Sequence, residues 1–144
     1  MKKNITTILT VIALSTLAHA RIGETVAECD ARYGEVKLED EGQKFYQKSG
    51  YTIGIFFDDN GKCCQIHYLK SGEDELTEKE VNAFMNANGK NWEKIKANKT
   101  YIKWESGGKF AYDTGGTLLI RTIAYDAFVF DEADRKEAEK LNAF

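Results

Sequence analysis

YTIGIFFDDNGKCCQIHYL, residues 51–69, reads as two strands folded back on each other across a turn. Ile53, Ile55 and Phe57 alternate along the first arm, and Cys64, Ile66 and Tyr68 along the second. Asp58-Asp59-Asn60-Gly61 supplies the turn residues between them. A two-residue Asn60-Gly61 turn would pair Asp59 with Lys62. Counting outward then sets Phe57 opposite Cys64, Ile55 opposite Ile66 and Ile53 opposite Tyr68, all on one face, the expected core face.

Working outward, Thr25 and Glu28 form a capping box that starts a helix, with Val26, Cys29 and Tyr33 on its buried side and Gly34 as its left-handed stop. Glu35–Gln43 is a polar connection, Lys44–Lys48 a strand and Ser49-Gly50 a turn. Beyond the hairpin the order returns. Thr77 and Glu80 make a second capping box, stapled by Leu76 and Val81. Val81, Phe84 and Met85 are its buried stripe, Gly89 its stop, and Trp92 covers its end. A Lys/Asn-rich connection leads to the strand Tyr101–Glu105, the turn Ser106-Gly107-Gly108, and a hairpin over Lys109–Ala124. A shift of 55 residues lays Tyr46 on Tyr101 and Phe57–Lys62 on Tyr112–Thr117, while a shift of 52 lays Thr25 on Thr77. The unit is thus α-β-β-β, twice, over about 22–70 and 76–124. Tyr125–Phe130 reads as an additional strand or a docking segment, and Asp131 caps a terminal helix over 131–144.

Residues 1–20 read as a signal peptide: Lys2 and Lys3, then the apolar run Ile8–Leu17, then Ala18-His19-Ala20 as the cleavage signal. That run is too short to anchor the chain in a bilayer, and no cysteine follows Ala20 to carry a lipid. The expectation is a periplasmic or secreted protein starting at Arg21, its single domain over 21–130. Losing Lys2 and Lys3 takes the net charge from −3 to −5, which disfavours a nucleic-acid partner. All the aromatic residues lie in the mature part, enough apolar material for one core.

Ile22, Gly23, Thr25, Val26, Cys29 and Gly34, followed by three strands and then repeated, resemble the α-β-β-β units of the SmpA/OmlA outer-membrane-assembly lipoproteins and of the tandem-repeat β-lactamase inhibitory proteins. Cys29–Gly34 also resembles a helix end found in small exported bacterial proteins of unknown function. The second half carries Leu76-Thr77 where the pattern has glycine. The resemblance implies an α+β fold: two tandem α-β-β-β units forming an antiparallel sheet, helices packed on one face, and an open face that grips another protein without catalysis.

Cys29, Cys63 and Cys64 would sit in a compartment that permits disulfides. Cys29 and Cys64 share the core side, so Cys29–Cys64 is the leading pairing, worth about 4 kcal/mol in the chain-entropy model. Cys29–Cys63 is the alternative and a strained Cys63–Cys64 bond the third. Beyond residue 20 the only histidine is His67, about 13 Å along the strand from Cys63, too far to activate it. One imidazole makes no metal site. Phe56 and His67 stand where a calcium loop would need Asp and Glu, so Asp58–Gly61 is a turn. No cofactor is expected. Large residues on both strand faces leave an aromatic surplus. Tyr46, Tyr101 and Trp104 then form a partner-binding face, or else fill the core between the two units. The reading is a non-enzymatic module that binds a protein or another envelope component; the alternatives are an exported hydrolase with an unrecognised site and a subunit self-associating through Tyr125–Phe144.

Overall fold

Ile55, Ile66 and Ile120 are fully buried and lie side by side on three adjacent strands, with Ala111 completing the row on a fourth. This row is the middle of one eight-stranded antiparallel sheet. The computed structural model describes residues 21–143; the expected signal peptide lies outside them. The elements are α1 (Val26–Tyr33), β1 (Leu38–Asp40), β2 (Gln43–Lys48), β3 (Tyr51–Phe57), β4 (Cys63–Lys70), α2 (Glu78–Asn88), β5 (Glu93–Ala97), β6 (Ile102–Ser106), β7 (Lys109–Asp113), β8 (Leu118–Thr122) and α3 (Ile123–Asn142). The strand order is β1-β2-β3-β4-β8-β7-β6-β5, so each half of the chain supplies four adjoining strands. The additional strands are the edge strands β1 and β5, within the stretches expected to be connections. All their residues are exposed, and without a buried face they carry no alternating pattern.

The hairpin pairs Ile55 with Ile66 and Ile53 with Tyr68, as its alternation predicts, but Phe57 with Cys63. The turn is one residue longer than an Asn60-Gly61 turn. Asp58 N donates to Lys62 O, Gly61 N donates to Asp58 O, and Gly61 takes φ +70°, which glycine adopts without strain. The Asp58 side chain accepts from the backbone N–H groups of Asn60 and Lys62. A bulge at Cys63-Cys64 restores the register beyond it. Cys63 therefore takes the core-facing place expected for Cys64.

Both capping boxes form, Thr25 with Glu28 and Thr77 with Glu80. Gly34 ends α1 at positive φ, but Gly89 is extended at φ −173°. Gly89 is needed for space instead: a Cβ there would lie 2.9 Å from both Ser106 Oγ and Trp92 Cζ2. Trp92 does cover the end of α2, its indole N–H donating to Met85 O at 2.8 Å. Cys29 and Tyr33 of α1 and Val81, Phe84 and Met85 of α2 cover one face of the sheet. Tyr68 stacks on Phe84 with ring centroids 4.2 Å apart. The buried Asn88 donates to Tyr68 Oη and Phe84 O and accepts from Ile22 N, tying the start of the chain to α2.

The helices do not all lie on one face. Tyr125–Phe130 is no strand; it belongs to α3, which Thr122 caps by accepting from Tyr125 N. Tyr125 and Asp126 of α3 meet Phe56, Tyr112 and Arg121, residues that alternate with the core-facing positions of their strands. The first turns of α3 thus cover part of the second sheet face. This accounts for part of the aromatic surplus.

The cap of α2 also clamps the helix to the sheet. The Glu80 carboxylate accepts from Thr77 N and from the Tyr51 hydroxyl, each at 2.7 Å, and pairs with Lys70 at 3.2 Å. The hydrogen bonds from Thr77 and Tyr51 hold its pKa down to about 2. A depressed carboxylate contributes stability that is complete above its ordinary value of 4.5 and is lost as pH falls toward about 2. We expect the denaturation midpoint to drop between pH 4.5 and 2, and Glu80→Gln to lose less over that window than the parent. Solvent screening keeps the effect modest.

Candidate binding cleft

A cleft of about 410 Å³ opens between α2 and the strands β5, β6 and β7. It lies where α2 packs on β3, β4 and β8, while β7, β6 and β5 follow on the far side of β8 in the strand order. Leu76, Val81 and Met85, each 5% exposed or less, form its apolar wall. Ile102 and Trp104 alternate onto the same face of β6 and form its floor, both half-buried. Lys94 of β5 stands over the Trp104 ring, 5.2 Å from the centroid. Glu78, Asn82 and Asp113 supply polar groups at the margin. The Trp104 indole N–H is buried and has no acceptor among the described residues. Apolar walls with a few convergent polar groups are the usual make-up of a binding pocket.

The three aromatic residues expected to form one face are dispersed. Tyr46 is fully buried, its ring 5.4 Å from Tyr33 and its hydroxyl donating to Asp30 at 2.7 Å, so it is a core residue and not a contact. Tyr101 lies just before β6 and packs against Tyr112, which is on the sheet face opposite Trp104 because it alternates with Ala111, the β7 partner of Trp104. Only Trp104 lies in the cleft. Its neighbours there, Lys94, Asn82 and Met85, were missed as site residues because β5 reads as a loop and Met85 as plain core.

The expected Cys29–Cys64 pairing is not formed in the structure, where all three cysteines are buried and unbonded. The bulge separates the neighbours. Cys63 joins the core cluster of Cys29, whereas the Cys64 thiol donates to Phe56 O at 3.4 Å, on the side where Phe56 meets Tyr125 of α3. Burial pushes the Cys29 thiol up to about 12 and the Cys64 thiol to about 11, and raises Cys63 further. His67 shares the second face with Gln65, not with Cys63. Burial, and then the Arg121 charge, hold its pKa below the ordinary imidazole value.

On that second face Asp126 is 4% exposed, accepting from the Tyr112 hydroxyl at 2.8 Å and pairing with Arg121 at 3.1 Å and Lys103 at 3.5 Å. Lys103 also stands 3.6 Å from the centroid of the Phe110 ring. Among the described residues no group of three or more His, Cys, Asp or Glu side chains could hold a metal ion, and no helix is long and apolar enough to cross a membrane.

No family model matches the chain, and no curated protein matches it. Among solved structures it is similar to the crystal structure of a DUF4309 family protein, YjgB, from Bacillus subtilis. Identity is 13% and the TM-score 0.43, over 69% of this chain and 78% of that one.

Proposed function

We propose that the chain is an exported module, cleaved after Ala20 and acting in the periplasm or outside the cell, which binds a protein or another envelope component in the cleft between α2 and β5–β7. The observation that carries the reading is Trp104: a half-buried tryptophan on the floor of an apolar-walled cleft, with a lysine over its ring. Tryptophan in such a setting is the residue type that anchors protein interfaces. Sheet edges offer less. β1 is only three residues long, and β5 carries Lys94, Lys96 and a bulge, features that discourage strand addition. Binding by a face fits better than binding by an edge. We read the two halves as a tandem repeat whose unit is a helix and four strands, with β4 and β8 as the seam. A hydrolase would want His67 beside the carboxylates of the cleft, and His67 lies on the other sheet face from Asp113.

The test is a photo-crosslinking residue at the exposed Asn82, with a control at Glu39 on β1. Envelope extract should give a discrete adduct at 82 and none at 39. Lys94→Glu, on an exposed side chain, and Trp104→Phe should each reduce it, and Trp104→Ala by about 30-fold in affinity, a loss typical of an interface anchor. Equal adducts at both sites, or an adduct indifferent to Trp104, would overturn the reading, provided the variants melt as the parent does.

A further inference from the structure

We propose that the mature protein carries a disulfide between Cys29 and Cys63, with Cys64 remaining a thiol. The backbone brings the two together. Residues 23–25 run beside the start of β4: Gly23 N donates to Cys63 O at 2.8 Å, Cys63 N donates to Glu24 O at 2.7 Å, and Thr25 bridges to Lys62. Thr25 caps α1, and Cys29 stands one helical turn further, its N–H donating to Thr25 O at 3.0 Å. Cys29 is 0% and Cys63 1% exposed, and both belong to the same core cluster. Cys63 lies in one of two hydrogen-bonded segments and Cys29 one helical turn beyond the other, so both thiols enter one core from neighbouring stretches of backbone. The bulge removes Cys64 from this choice, and Cys64 is itself buried and held on Phe56 O, so it is no surface thiol for linking chains.

The chemistry needs an oxidant of the disulfide class, either an envelope dithiol oxidoreductase in its disulfide form or glutathione disulfide. One cysteine thiolate attacks a sulfur of the oxidant and gives a mixed disulfide with release of one thiol. The second cysteine then displaces the other thiol. Cys29 and Cys63 lose two protons and two electrons in forming their S–S bond, and the oxidant takes them up as its own S–S bond breaks. Only the thiolate reacts. In the folded chain both thiols are shielded and their ionisation is suppressed by burial, so the bond forms while the chain folds, before the core closes. It is a staple and not a switch.

The proposal rests on the export reading, and one experiment separates the two. The chain is expressed with residues 1–20, recovered from the envelope fraction or medium, denatured with N-ethylmaleimide, and weighed intact. A mature N-terminus at Arg21 reports export regardless of thiol state. The expected result is one maleimide added, at Cys64, with the mass that remains after subtracting that adduct lower by about 2 Da than that of the reduced chain, the two hydrogens lost on forming the bond. Cys63 and Cys64 fall in one peptide, so variants assign the bond: Cys64→Ser keeps the mass difference and adds no maleimide, while Cys63→Ser abolishes it. Refolding denatured residues 21–144 in a glutathione buffer should yield the same bond without export, and should raise the melting temperature by roughly 10 °C over the reduced form. Three alkylated cysteines on a correctly processed and refolded chain, or a bond that survives in Cys63→Ser, overturn the proposal.

Discussion

Replacing Asp126 by alanine should cost about 3–5 kcal/mol of folding free energy, the range for breaking one side of a buried ion pair. The carboxylate is 6% exposed and faces Arg121 and Lys103, whose side chains are 12% and 17% exposed. Its removal leaves two largely desolvated cations without an anion, and the Tyr112 hydroxyl without its acceptor. Arg121 has little to fall back on, since its Nε already lacks a partner among the described residues. Asp126→Asn keeps the volume and an acceptor for Tyr112, so it should cost distinctly less. Urea denaturation measures both. Amide exchange should show α3 opening before the rest, because past Glu132 every described residue of the helix is exposed and the anchor lies in its first turns. An alanine variant within about 1 kcal/mol of the parent would show that α3 is held by its aromatic contacts alone.

Ile66→Ala should cost about 2–5 kcal/mol, and Ile66→Val about 0.5–1.5. Ile66 is 0% exposed and pairs with Ile55 on one side and with Ile120 on the other, where the strands of the two halves meet. Truncation opens a cavity that two flanking strands cannot both close. Leu38→Ala, on an edge strand at 58% exposure, should change stability by no more than about 0.5 kcal/mol. Chemical denaturation of the three variants tests whether the sheet centre is also the energetic centre. A loss below 0.5 kcal/mol for Ile66→Ala would show that the sheet adjusts around the gap.

Legibility in the sequence followed burial. Thr25 and Thr77 announce their helices because a capping box is satisfied within four residues. Ile53, Ile55, Ile66 and Tyr68 announce their register because one face of each strand must be apolar. β1 and β5 bury nothing and gave no signal, and so the half-units were expected to have three strands and not four. In Tyr125–Phe130 the apolar residues crowd too closely to separate a strand from a helix. The lone acid at Asp126 was the clue, since a carboxylate within an apolar run needs cations that only another part of the fold can bring.

The site was less legible than the fold. Tyr46, Tyr101 and Trp104 occupy related positions along the chain, yet strand alternation and the placing of the helices send one into the core, one to the second face and one into the cleft. The cleft depends on where α2 sits relative to β5–β7, a relation between separate elements of the fold. Cys63 and Cys64 differ by one position, and a single bulge next to a turn decides which of them joins the core cluster of Cys29. By itself the sequence determined the caps, the hairpin and the apolar faces, because those rest on contacts within a few residues and on the period of each element. Which surfaces meet, which thiol lies beside which, and where a cleft remains open were decided only by the tertiary structure, since they depend on how whole elements pack against one another.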